Sequence, residues 1–271
     1  AFTPTAHAIP PKPGPNPLPD TIVATGKRNI TAVWFNEPTR RYAHGVLGDA
    51  IEAGGLAARL ADGRVVTISL DQQSVFEDRV PRLVDLNGDG KDEILAVRSY
   101  LDSGAALAVI APKDGKLAIV AEAASIGLSH RWLNPVGVGD FDGDGRVEAA
   151  VVITPHIGGT LQLYEWRGDK LIADHGAFGF SNHAMGSRQL GLAAVADMNG
   201  DGLPEIILPD DTRRDLEVVS FKDGEAKTLF EVPIGGRLQG PVAVADLDAD
   251  GRPEIAFVLR GNILVIADPA P

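Results

Sequence analysis

Cysteine is absent, which excludes disulfides, thiolate metal sites and a cysteine nucleophile, and leaves the chain compatible with any redox compartment. Basic residues are the minority: 25 Lys plus Arg against 37 Asp plus Glu give a formal charge of −12. That balance argues against nucleic-acid phosphates or anionic membranes as partners, since both need a basic surface. No apolar run approaches the roughly 18 residues of a membrane helix, so no membrane span is expected. A sustained 3.6-residue period is missing too; apolar residues come in strand-length runs rich in Val, Ile and Leu. There is no H-x-x-H or H-E-x-x-H spacing, no phosphate-cradling glycine loop and no G-x-S-x-G elbow.

What the chain does have is turn residues and repetition. Hydrophobic residues make up 44% of 271 positions, enough for a sizeable core, and 31 glycines with 19 prolines imply many turns between short strands. Seven prolines fall in the first twenty residues (Pro4, Pro10, Pro11, Pro13, Pro15, Pro17, Pro19), so residues 1–29 read as an extended tether outside the core. A start at Ala1 fits removal of a signal peptide, and the expected location is secreted or periplasmic.

One segment occurs four times: DLNGDGKDEILAV from Asp85, DFDGDGRVEAAVV from Asp140, DMNGDGLPEIILP from Asp197 and DLDADGRPEIAFV from Asp246. A decayed copy, GDAIEAGGLAARL, aligns its Asp49 on the first Asp of the others. Short apolar segments recur around each loop, such as Val136–Gly139, Glu148–Thr154, Thr160–Trp166 and Lys170–Phe178. Four antiparallel strands per unit, repeated radially, make an all-β fold, a β-propeller of five blades occupying residues 30–271. The last unit stops one strand short. Ile30–Phe35 followed by Asn36, Glu37 and Pro38 resembles Thr228–Phe230 followed by Glu231, Val232 and Pro233, so the N-terminal strand is expected to close the ring on the C-terminal blade.

Each intact loop has the form D-x-[DN]-x-D-G-x-x-E. Oxygens at positions 1, 3 and 5 converge when a turn wraps a cation, and the Gly at position 6 permits the bend. The carbonyl at position 7 (Lys91, Arg146, Leu203, Arg252) and the Glu at position 9 complete the shell. An all-oxygen donor set without His or Cys favours Ca²⁺ over Zn²⁺. The competing reading is an Asp/Gly-rich turn that binds nothing, which four equally spaced copies disfavour. Helix-flanked calcium hands are excluded because their last Glu stands at position 12 between amphipathic helices.

These loops between strands resemble the FG-GAP/VCBS repeat family over residues of roughly 40 to 268. The resemblance implies a propeller stapled by about four structural Ca²⁺ ions. It carries over the ligand positions Asp85, Asn87, Asp89, Glu93; Asp140, Asp142, Asp144, Glu148; Asp197, Asn199, Asp201, Glu205; and Asp246, Asp248, Asp250, Glu254. Two departures stand out: many family propellers have seven blades, and the last loop carries Ala249 where the others have Gly. The family's activities are too varied to transfer one.

The second-to-third-strand loops and the connections between units emerge on the opposite face, where four of the six histidines fall (His44, His130, His156, His183). Nine residues before the first loop Asp stand Arg40, Arg131, Arg188 and Arg237, and the remaining connection carries Arg79 and Arg82. Such repeated arginines either tie each connection to its neighbour or form an electropositive mouth for an anion. The non-repeating RWLNP, TPHIGG and FSNHAMGS segments point more directly to function. The candidate ligand residues are Arg79, Arg131, Trp132, Asn134, His156, Asn182, His183, Arg188 and Arg237, with Trp132 expected to be exposed as a saccharide platform. The leading expectation is a monomeric, non-enzymatic module binding a small polar or anionic ligand, a glycan or a protein. The alternative is a polysaccharide hydrolase or lyase using carboxylates such as Glu77, Asp78, Asp102, Asp210 and Asp211 with His and Arg of that face.

Overall fold

The computed structural model describes residues 12–268; Pro4, Pro10 and Pro11 lie outside them. The chain folds as successive antiparallel units. The first contains β1 (Ala24–Thr25), β2 (Ile30–Thr39), β3 (Glu52–Leu60) and β4 (Val65–Ser69), and β5 (Ser74–Phe76) leads out of it. The second is β6 (Arg82–Val84), β7 (Glu93–Tyr100), β8 (Gly104–Lys113) and β9 (Lys116–Glu122). The third is β10 (Leu133–Gly139), β11 (Glu148–Ile153), β12 (Thr160–Arg167) and β13 (Lys170–Phe178). The fourth is β14 (Ala194–Ala196), β15 (Glu205–Pro209), β16 (Asp215–Ser220) and β17 (Lys227–Pro233); the fifth is β18 (Leu238–Ala245), β19 (Glu254–Leu259) and β20 (Ile263–Ala267). Two single-residue pairings, Ala53↔Phe76 and Lys170↔Glu122, help link the first three units into one hydrogen-bonded sheet. The sheets do not close into a barrel.

The second strand of the second, third and fourth units explains why apolar residues run together instead of alternating. Such a strand is covered on both faces, so both sets of side chains need apolar surroundings. In β7, Ile94 and Ala96 enter the core shared with the first unit, while Leu95 and Val97 enter the core shared with the third. In β11, Ala149 and Val151 face back and Ala150 and Val152 face forward. In β15, Ile206 and Leu208 face the third unit and Ile207 the fifth. Consecutive units therefore stack face to face, and each fully buried Ile, Val, Leu or Phe contributes about 1.5–3 kcal/mol.

The expected ring closure is not what forms. Ile30–Thr39 pairs with β3 from Ile30↔Leu60 to Thr39↔Glu52, and with β1, so the N-terminal strand belongs to the first unit. Among the described residues β20 pairs only with β19, which leaves the fifth unit with three strands. The likeness of Ile30–Phe35 to Thr228–Phe230 reflects a shared strand composition; the hydrogen-bonding partner is chosen by chain proximity.

The proline-rich lead is also more than a tether. Leu18 is buried in the core between the first two units, and its N–H bonds the Phe35 carbonyl at 2.9 Å. Gly14 lies so close to Trp34 that a Cβ there would stand 2.5 Å from the indole. Val23 joins Trp34, Ala32 and Ala57 in a small cluster on the outer face of the first unit.

Candidate functional site

The four repeated loops join β6 to β7, β10 to β11, β14 to β15 and β18 to β19. Their backbones are organised by their own carboxylates. The Gly N–H at position 6 donates to the first Asp in every copy, at 3.0, 3.0, 2.9 and 3.1 Å. Position 5 donates to the side-chain oxygen of position 3, and position 7 (Lys91, Arg146, Leu203, Arg252) to the carboxylate of position 5. Each Glu at position 9 is buried at the start of a strand and accepts the N–H of position 2, as Glu148 does from Phe141 at 2.8 Å.

Convergent oxygens remain over after this bonding. Asp140, Asp142, Asp144 and Glu148 offer ligand atoms within 4.8 Å of one another, as do Asp246, Asp248, Asp250 and Glu254, and either set could hold a metal ion. In the first loop Asp85 Oδ1 is buried without a hydrogen-bond partner. Burial first, then Asp142, Asp140 and Asp144, pushes the Glu148 carboxyl up to about 7, the crowding that a bound cation relieves. Glu93 and Glu205 are raised for the same reasons. An all-oxygen set of this kind fits a hard divalent cation. Basic side chains touch three of the loops: Arg28 bonds Asp85 at 3.1 Å, Lys222 bonds Asp201 at 3.0 Å, and His175 stands 3.4 Å from Asp142. The grouping of Asp142 with Asp174 and His175 escaped sequence reasoning, because it depends on a bulge in β13.

The decayed copy is not a fifth such loop. Glu52 already starts β3, and Asp49 lies at the opposite end of the molecule, where Arg188 bonds it at 2.8 Å. The end of the first unit beside loop 85–92 is instead the β3–β4 turn, through Ala61 to Asn29 and Asn29 to Asp92.

That opposite end gathers the non-repeating segments. A cavity of about 200 Å³ is lined by His44, His130, Arg131, Trp132, His156 and Met185, among others. Behind it the imidazoles are fixed in orientation. The Ser187 carbonyl can only accept, so His183 Nε2 donates to it at 2.9 Å, His183 Nδ1 accepts, and His156 Nε2 donates to that nitrogen at 2.8 Å. The order leaves His156 Nδ1 with a lone pair. Burial pulls both rings down to about 4, helped for His156 by His183 and then Arg213, and for His183 by Arg213. Across the cavity His44 Nδ1 lies 2.7 Å from Glu77 Oε1, and Ser99 donates to Glu77 Oε2 at 2.6 Å. Tyr42 stacks on His130 with ring centroids 4.9 Å apart. Glu52, on β3 nearby, is pushed up to about 9 by burial and by Glu77, Asp49, Asp20 and Asp78, so it carries a proton at neutral pH.

Trp132 is buried, not an exposed platform: its indole N–H donates to the Glu77 carbonyl at 2.9 Å and its ring lies parallel to His156. Burial satisfies both the apolar ring and its single donor. Asn134 and Asn182 are fully buried, each donating to the other's carbonyl at 3.3 Å, with both Oδ1 atoms partnerless.

The arginines divide into two groups. Arg79 bonds Asp20 at 2.5 Å and the Arg188 carbonyl at 2.6 Å, and Arg188 holds Asp49, so these two tie the N-terminal segment, the first unit and the entry to the fourth together. Arg131 contacts only the His130 carbonyl, at 3.4 Å. Arg237 and Arg260 line a cavity of about 360 Å³ with Met185, Ser187, Gln189 and Gln239. Arg214 and Arg237 line an adjoining one of about 270 Å³. Among the described residues Arg214, Arg237 and Arg260 form no ion pair with a carboxylate. Met185 borders both the imidazole pocket and the arginine cavity, which places them side by side. Sequence reasoning singled out Arg237 but neither Arg214 nor Arg260, and missed Glu52 altogether.

Residues 85–151 match the FG-GAP-like repeat family. The chain carries an FG-GAP-like repeat. No curated protein sequence matches the chain. Among solved structures, the chain is similar to the exotype rhamnogalacturonan lyase YesX (TM-score 0.57, 16% identity, 94% of this chain and 50% of that one). It is likewise similar to the rhamnogalacturonan lyase YesW (TM-score 0.53, 17% identity, 94% of this chain and 52% of that one). At such identities the likeness is one of fold, and the chain spans about half the length of either lyase.

Proposed function

We propose that this chain is a secreted or periplasmic, calcium-stabilised β-propeller module of five blades that binds an acidic glycan on the face opposite its metal loops. The observation that carries the reading is the cavity pair lined by Arg214, Arg237 and Arg260, whose guanidinium groups pair with no carboxylate among the described residues. Such donors suit a planar carboxylate or a sulfate on a sugar. Gln189, Gln239 and Ser187 supply neutral hydrogen-bonding groups for hydroxyls. The rhamnogalacturonan lyases of similar fold support a polysaccharide as the ligand. Calcium at the four loops stiffens the far rim and leaves this face free.

The test is titration calorimetry in calcium with an acidic oligosaccharide, oligogalacturonate, and a neutral one of equal length. Arg237→Ala with Arg260→Ala is expected to weaken the acidic ligand at least tenfold while the melting temperature stays unchanged. Equal affinity for both sugars, or unaltered binding by the double variant, overturns the assignment.

A second reading has its own observation. The His44–Glu77 pair, backed by Ser99, and the lone pair of His156 Nδ1 face one cavity, an arrangement suited to moving a proton. A lyase would take a proton from a sugar carbon with one imidazole and return one to the leaving oxygen with another. Ultraviolet absorbance of an unsaturated product, lost in His44→Ala, distinguishes that activity from binding alone.

A further inference from the structure

The four loops share one spacing but not one charge. Position 3 is Asn87 in the first loop and Asn199 in the third, against Asp142 in the second and Asp248 in the fourth. Ligand positions therefore carry three, four, three and four carboxylates in chain order. The difference reaches the buried Glu at position 9. Asn87 Oδ1 accepts the Asp89 N–H at 2.8 Å, which leaves its amide nitrogen to donate to Glu93 Oε1 at 3.3 Å. Asn199 repeats this, with Oδ1 taking the Asp201 N–H at 2.9 Å and Nδ2 donating to Glu205 Oε1 at 2.8 Å. Since the Leu86 and Met198 N–H groups donate to Oε2, both oxygens of each Glu are bonded within the chain. An ionised aspartate has no proton to donate. Glu148 and Glu254 accordingly accept one backbone N–H each, from Phe141 and Leu247, and their Oε1 atoms have no donor among the described residues. Each three-carboxylate loop also holds a basic side chain from elsewhere, Arg28 on Asp85 at 3.1 Å and Lys222 on Asp201 at 3.0 Å. In the second loop Arg146 and His175 stand 3.4 Å from Asp144 and Asp142, and Arg146 bonds Glu165 instead, at 2.9 Å.

We propose, building on calcium as the ion of these loops, that they form two classes of site: the second and fourth tight, the first and third weak. Charge count among the ligands is one of the two levers that set the affinity of a calcium loop. In the second and fourth loops the ion meets four carboxylates, with one oxygen of the Glu still without a donor. In the first and third it meets three, and the Asn amide already satisfies the Glu oxygen that the ion would take. Arg28 and Lys222 compete for the remaining acids; both are about half exposed, so their share of the effect is the smaller one. The partnerless Asp85 Oδ1 keeps the first loop a site of the weaker class. Calcium at low concentration then fixes the third and fifth units, and the second and fourth respond as it rises. In the first loop the ion takes Asp85 from Arg28, which retains Asp92 at 3.2 Å, so the N-terminal segment stays anchored.

The test is equilibrium dialysis of the full chain against radioactive calcium buffered from about 10 nM to 10 mM, which spans most calcium-loop affinities. Wild type is expected to bind two ions, then two more with affinity roughly tenfold weaker or less. Asp142→Asn and Asp248→Asn, each close to isosteric, should each move one ion from the tight class to the weak. Asn87→Asp and Asn199→Asp should each move one ion the other way, a gain that misfolding cannot imitate. Lys222→Ala should tighten the third loop alone. Four ions of equal affinity, a single cooperative step, or Asn→Asp variants that leave the tight ions at two overturn the two classes while calcium stands as the ligand. No bound calcium at all overturns the calcium reading, and the two classes with it.

Discussion

Withdrawing calcium probes the four loops directly, and the expected size follows from their construction. The loops assemble their oxygens only in the folded chain, through bonds such as Gly145 N–H to Asp140 at 3.0 Å and Phe141 N–H to Glu148 at 2.8 Å. An ion held at about 100 times its Kd then stabilises the fold by about 2.7 kcal/mol for each loop. In a chain of this size a kcal/mol moves the melting temperature by about 2–4 °C, so one loop is worth roughly 5–10 °C. Four loops together approach about 11 kcal/mol, comparable with the whole stability of an ordinary domain, about 5–15 kcal/mol. Differential scanning calorimetry with millimolar Ca²⁺ and with EDTA should therefore show a fall of tens of degrees. Glu148→Gln separates ligation from architecture, because the amide oxygen still accepts the Phe141 N–H while one charge leaves the cluster of Asp140, Asp142 and Asp144. It should melt in EDTA at or slightly above the wild type and lose one loop's increment in calcium. An EDTA-insensitive transition would refute the reasoning, as would equal destabilisation of Glu148→Gln with and without calcium.

Two further expectations concern stability. Ala249 holds a φ of +65°, where the matching Gly88, Gly143 and Gly200 hold +74°, +85° and +76°. A Cβ in the left-handed region costs about 1 kcal/mol, so Ala249→Gly should raise stability by about that amount in urea denaturation. Its destabilisation would mean the loop tolerates Ala without strain. The buried histidines set a pH dependence: with folded values near 4 and an ordinary value of 6.5, the unfolded chain binds more protons in that interval. Their contribution is complete above pH 6.5 and is lost as pH falls towards 4, by up to roughly 3 kcal/mol for His183 and less for the partly exposed His156. Urea titrations at pH 7 and 4.5 should show a smaller acid loss in His183→Asn than in wild type; identical losses would place the acid sensitivity elsewhere.

The sequence spoke most clearly where structure is local. A loop such as Asp140–Glu148 satisfies its own backbone, so its residues carry the whole description, and the strands flanking it end where those bonds begin. The ends of the chain were misread because pairing is a long-range choice. Composition cannot say that Ile30–Thr39 lies on β3, nor that Leu18 reaches the core. At the ligand face, residue types pointed to the right segments but not to exposure. Trp132 looks like a platform until the Glu77 carbonyl, 55 positions away, is found to take its proton donor. The division of the arginines was equally hidden, since Asp20 and Asp49, which occupy Arg79 and Arg188, belong to stretches read as a tether and as a decayed loop.

The strap of residues 12–25 over the first unit also bears on synthesis. Of the five units the first is synthesised before the others and brings its own cover, so its outer face is sealed before the second unit exists. Each later unit then lays one face on a finished surface and offers a single new one. Growth is vectorial, with one sticky end at every stage, which limits the apolar area open to misassembly while the chain is incomplete.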